Sequence, residues 1–176
     1  MEEQTTVAAC RVGRQQRGPL FSRRILPSAA VLAAALALPA SPGPGAEPVV
    51  RLAVIANPGV PVRAISAAEL ASIFSRSTRN WKDGSAIRPL NLPPGTPERV
   101  AFDRAVLHME PEQSAQFWVD KMVRGEEAAP KAIAKIDIVV RLVPTLAGAI
   151  AYVPEDIVDD KVRVLAFVRD GKVVNP

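Results

Sequence analysis

The sequence predicts an α/β layer fold, and three observations predict it. Apolar runs of strand length, at residues 49–56, 87–92 and 148–153, alternate with segments whose apolar residues recur at helical spacing. A capping box, Ser66 with Glu69, marks one helix start; Thr96 followed by Pro97 marks a second. The turns between them carry the residues that turns require, such as Asp83-Gly84.

Taken in order, residues 49–56 read as a buried strand, and residues 57–61, with Asn57, Pro58, Gly59 and Pro61, as a loop. The helix after Ser66 puts Leu70, Ile73 and Phe74 on one narrow apolar stripe. Residues 75–80 hold no apolar side chain, so the helix ends there, and Trp81 folds back on its end. Ile87, Leu90 and Leu92 form the next strand. Pro89 interrupts it and predicts an edge position or an irregular strand. Thr96 is the N-cap and Pro97 the first residue of a second helix. Phe102, Ala105, Val106 and Met109 form its inward stripe, while Glu98, Arg99, Asp103 and Arg104 face water. Pro111 starts a third helix with Ala115, Trp118, Val119 and Met122 on its buried side, stopping at Gly125. In residues 131–143, Ile136, Val139, Val140 and Val143 fit a helical face; their β-branching makes strand a competitor, and loop length favours helix. Gly148 opens a strand to Val153, residues 154–160 form an acidic turn, residues 161–168 alternate as a final strand, and Asp170-Gly171 turn into a tail.

The N-terminus reads as an export signal. Arg23 and Arg24 precede an apolar run at residues 25–38 and a segment of small residues and prolines at 39–46, the layout of a secretory signal peptide. The run is short of the roughly 20 residues of a membrane span. Residues 1–46 are therefore assigned to an N-terminal extension and signal peptide, and residues 47–176 to one exported domain that is periplasmic or secreted. The arginine pair leaves the general and twin-arginine routes both open. Five of the 22 basic and two of the 18 acidic residues lie in residues 1–46, leaving 17 and 16 in the domain. Such a balance gives no electrostatic case for nucleic acid. The single cysteine, Cys10, also falls in the removed segment; it has no apolar region before it, which argues against lipidation.

Catalytic signatures do not emerge. His108 is the only histidine and the domain has no cysteine, so zinc-type ligand spacing is missing and no metal or other cofactor is expected. No serine sits in an elbow motif that His108 would serve as base. The carboxylates Glu126, Glu127, Asp156, Asp159 and Asp160 fall in hydrophilic loops and read as solvated charge. One anion-site candidate remains: Gly95 and Thr96 open a helix whose first amides and hydroxyl suit an anion, with Arg99 one turn in. Ordinary N-capping places Thr96 in the same position. Ser75, Arg76, Ser77, Thr78 and Arg79 form a second polar, basic cluster that a solvent-facing helix end also explains. Trp81 and Trp118 read as packing residues.

The segment Ala53 to Pro58, the helix Leu70 to Phe74, the run Asn80-Trp81-Lys82-Asp83-Gly84, the strand Ile87 to Asn91 and the strand Gly148 to Val153 resemble the phosphate ABC transporter substrate-binding protein family. The resemblance spans about residues 50–155 and implies a type 2 periplasmic binding protein fold, here a single lobe with a small mixed sheet flanked by helices. It implies a non-catalytic protein that binds phosphate or another small oxyanion for an ABC transporter permease. The family's anion loop precedes a Gly-Thr helix start. Gly95 and Thr96 match it, Leu90, Asn91 and Pro94 stand where the family has an arginine and a serine nearby, and Ala151 replaces a glycine. Gly95, Thr96, Arg99 and Asn91 are thus the candidate ligand-binding residues. Full members close two lobes on their ligand, so a homodimer supplying both walls is one expectation. The other is an accessory module that docks an envelope transporter or sensor.

Overall fold

The computed structural model of the protein describes residues 50–176. The export-signal reading of residues 1–46, and Cys10 with it, lie outside the described residues. The α/β layer fold is present: six strands form one mixed sheet in the order β3-β2-β4-β1-β5-β6.

β1 (Leu52–Ala56) sits inside the sheet, antiparallel to both β4 (Ala149–Pro154) and β5 (Arg163–Arg169). All of β1, and β4 as far as Val153, is buried, so both faces of the sheet centre are covered. That explains continuous apolar runs in place of strict alternation. The β1–β5 register shifts between Val54 and Ile55, stepping over Leu165. The Leu165 carbonyl instead accepts from the Ile65 N–H at 3.1 Å, tying down the segment before the first helix. β6 (Lys172–Val174) folds back on β5 through Asp170-Gly171, both at positive φ. The expected tail is therefore a hairpin.

β2 (Arg88–Asn91) shows how Pro89 is tolerated. Its first half pairs in parallel with β4 and its second half with β3 (Lys131–Ala132). The strand is interior yet irregular, since its ladder changes partner just past the residue that lacks a donor. The 131–143 segment is likewise split, into the two residues of β3 and a helix, α4 (Ile136–Leu142), with Val139 and Val143 buried. The helical face expected there is present.

α1 (Ala67–Phe74) starts at the predicted capping box: Ser66 Oγ accepts from the Glu69 N–H at 3.3 Å, and the Ser66 N–H donates to Glu69 Oε2 at 3.0 Å. Leu70, Ile73 and Phe74 are its buried residues, as the stripe predicts. α2 (Pro97–Phe102) runs into a π-helical turn at Asp103–Leu107, which His108 ends in the left-handed region at φ 55°. Phe102 stacks on Tyr152 of β4 at 3.9 Å between ring centres, and Phe74 meets Phe102 edge-on at 4.6 Å. This aromatic trio joins α1, α2 and the sheet. Trp81 is buried and donates to the Gly148 carbonyl at 3.3 Å, a packing role as expected.

Two helical faces differ from expectation. Arg99 and Asp103 are buried rather than facing water, because α3 (Pro111–Val123) lies over that flank of α2 and brings Ser114 against them. α3 itself buries only Ser114. Val119 and Met122 of the predicted inward stripe are 45% and 69% exposed, and Ala115 is exposed too. The contact that orients α3 is polar, so its apolar stripe does not decide which side faces the core.

Candidate functional site

The residues flagged by sequence lie along the segment that leaves β2 and enters α2. Thr96 caps α2 as predicted: its Oγ1 accepts from the Arg99 N–H at 3.4 Å and donates to the Pro93 carbonyl at 3.0 Å. The Thr96 N–H is also directed at Pro93 O, at 3.3 Å, and Pro97 has no N–H. Gly95 stands at the exposed crest with φ 82°, where a side chain would be strained although space is open. Gly95 and Thr96 are thus adjacent and reachable, with their donors partly engaged inside the loop.

Asn91 and Arg99 are placed differently. Asn91 is 2% exposed. Its Oδ1 accepts from the Tyr152 hydroxyl and, at 3.2 Å, from the Leu92 N–H, while its carbonyl accepts from the Ile133 N–H at 2.8 Å. Asn91 therefore fixes the β2 end to β4 and to the chain after β3. Burial pushes the Tyr152 phenol well above the usual tyrosine range, so it remains a neutral donor to Asn91. Arg99 is 7% exposed. Its Nε donates to Asp103 Oδ2 at 2.7 Å, Nη1 points at the Leu92 carbonyl and Nη2 at Ser114 Oγ, each at 3.4 Å. Ser114 Oγ in turn donates to Asp103 Oδ2 at 2.9 Å. The guanidinium lies beneath the loop as part of a closed triad. Asp103 and Ser114 are the site partners that sequence reading missed; the one available signal was the i,i+4 spacing of Arg99 and Asp103.

The second basic cluster is built around one carboxylate. Arg76 Nη2 lies 2.6 Å from Glu127 Oε2, and Arg79 Nε 3.5 Å from Oε1. The adjacent Glu126 pairs with Lys121 at 3.0 Å and Arg124 at 2.7 Å. The hydrogen bond from Arg76 holds the Glu127 carboxyl below the usual range; those from Arg124 and Lys121 do so for Glu126. These carboxylates are ion-paired, and no proton-sharing couple exists between them.

No family model matches the sequence, and no curated protein matches it. Solved structures do match. A phosphate ABC transporter substrate-binding protein with bound phosphate from Clostridium perfringens aligns with a TM-score of 0.53 at 20% identity, over 66% of this chain and 45% of that one. An ABC-type phosphate transport receptor from Vibrio cholerae aligns at 0.52 and 17% identity, over 66% and 46%. PstS from Borrelia burgdorferi gives 0.52 and 17%, over 66% and 47%. The fold is that of a periplasmic binding protein. The chain spans a little under half the length of each structure it matches. These neighbours are binding and transport proteins, and the likeness to them is one of fold. Among the described residues, no helix is long and apolar enough to cross a membrane.

Proposed function

We propose that this chain is an exported, non-catalytic substrate-binding lobe that receives phosphate or a similar oxyanion for an envelope ABC transporter. The observation that carries the reading is the fold shared, over 66% of this chain, with a phosphate ABC transporter substrate-binding protein and an ABC-type phosphate transport receptor. In this reading the anion meets the exposed crest at Gly95 and Thr96. The positive φ of Gly95 gives the backbone an open flank there. Arg99 contributes its field from beneath, offset by Asp103, and Asn91 holds the loop's base. A second copy of the chain, or another lobe, would close the opposite wall. Export rests on the N-terminal basic and apolar segments.

The test is calorimetric titration of inorganic phosphate into the protein and into Thr96→Ala. Losing one hydrogen bond to a charged ligand weakens binding about tenfold or more. Equal affinity in Thr96→Ala removes the anion from this crest.

A second reading is favoured by α3, where Met122 and Val123 are 69% and 79% exposed. In it the lobe docks an envelope transporter or sensor through that helix and holds no anion. Absence of any heat at millimolar phosphate selects this alternative.

A further inference from the structure

α3, with 13 residues, is the longest helix among the described residues, yet apolar packing does little to hold it. None of its apolar side chains belongs to the buried core or to the half-buried set packed against that core. Val119, Met122 and Val123 face outward. The hydrogen bonds that tie its first turns down are polar side-chain contacts. Ser114 meets Asp103 and Arg99, and the Glu110 carboxylate accepts from Arg104 Nε at 2.9 and 3.0 Å. Residues in the left-handed region flank the helix, His108 before it at φ 55° and Gly125 after it at φ 70°. Such residues at the end of an element can absorb the dihedral change of a hinge.

What α3 covers gives its release a consequence. A space of about 80 Å³ is bounded by Pro94 and Gly95 of the crest, by Arg99 of α2, and by Ser114, Ala115 and Trp118 of α3. With α3 in place the guanidinium is 7% exposed, and an anion arriving at the crest does not meet it. Of the Arg99 partners, Ser114 lies on α3, while Asp103, the Leu92 carbonyl and the Tyr152 hydroxyl lie elsewhere. The guanidinium therefore keeps its position when α3 leaves, and it gains access to solvent beside Gly95 and Thr96.

We infer that α3 is a gate on the oxyanion site. Closed, it masks Arg99; lifted, it lets the arginine reach an anion held at the crest. The inference rests on the oxyanion reading and adds its regulation. Apparent affinity falls in proportion to the fraction of molecules that are open. Phosphate must in turn draw α3 open, because a ligand shifts an equilibrium toward the state it binds better.

Solvent exchange of the Trp118 indole N–H, followed by NMR of the full chain, reads the gate. That nitrogen is buried without a partner, so water reaches it only when α3 lifts. The Trp81 indole, bonded to the Gly148 carbonyl, is the internal reference. The chain has these two tryptophans, and Trp118→Phe assigns their signals. Exchange at Trp118 should be at least tenfold faster than at Trp81. It should rise severalfold further with saturating inorganic phosphate, and not with sodium chloride of equal ionic strength. Two variants loosen the gate without adding positive charge: Ser114→Ala removes the hydroxyl tie, and Arg104→Gln removes the tie to Glu110. Both should bind phosphate more tightly than the parent, Arg104→Gln by about two- to fivefold and Ser114→Ala by up to about tenfold. Phosphate shifts at the Gly95 and Thr96 amides, with Trp118 exchange and both variants' affinities unchanged, would overturn the gate and leave the oxyanion reading standing. A chloride response equal to that of phosphate means that salt merely loosens ion pairs, and also overturns it. Phosphate titrations without heat in the parent and both variants would refute the oxyanion reading, and the gate falls with it even where Trp118 exchanges freely.

Discussion

Tyr152 is the only tyrosine in the chain, and its ring lies against Phe102 with its hydroxyl on Asn91. Burial raises its pKa, so folding favours the neutral phenol. The sign follows: this contribution is complete below the ordinary tyrosine pKa of about 10 and is lost as pH rises above it. Tyrosinate absorbance in an alkaline titration should therefore appear together with unfolding followed by circular dichroism. A tyrosinate signal that develops in a still-folded protein would refute this placement. Arg99 is the second informative residue. Removing it strands a buried Asp103 carboxylate, and breaking a buried pair from one side costs about 3–5 kcal/mol. Urea unfolding of Arg99→Ala should show a loss of that order, with the double variant Arg99→Met, Asp103→Leu retaining more stability than Arg99→Ala. Neither burial was legible in the sequence. Helical periodicity placed Arg99 and Asp103 on the side facing water, and only the overlying α3 turned that flank into an interior.

At the scale of elements, legibility follows the kind of contact that orients each one. α1 was readable from its capping box and stripe, because local hydrogen bonds and apolar packing both act within a few residues of sequence. β2 was readable as irregular from Pro89. α3 was misread, since Ser114, a small polar residue, sets its orientation while Val119 and Met122 stay outside. Gly148 opens β4 at φ 74°, and a Cβ there would lie 2.1 Å from the Ala86 carbonyl oxygen. Left-handed backbone alone costs a non-glycine residue about 1–2 kcal/mol. Gly148→Ala must also displace the backbone that carries Trp81 and β2, so its denaturation midpoint should show a loss clearly above that range. A loss within it would mean that the turn yields freely.

For the whole molecule, the alternation of strands and helices sufficed to predict an α/β layer, and motif order pointed to the periplasmic binding protein fold. Strand order was not legible: β1 pairs with β4 and β5, contacts about a hundred residues or more apart that no local pattern encodes. Of the candidate site residues, Gly95 is exposed and Thr96 half-buried at the start of α2, where local turn and cap signals place them. Asn91 and Arg99 were drawn inward by partners on β4, the π-helical turn and α3, which no local pattern reveals. The central claim, that this lobe receives an oxyanion, is tested most directly by the thermal midpoint of the protein across a phosphate series. The account predicts a midpoint that climbs with phosphate, by a stabilisation of about 2.7 kcal/mol at a hundredfold excess over Kd. A midpoint that stays flat through millimolar phosphate would contradict it.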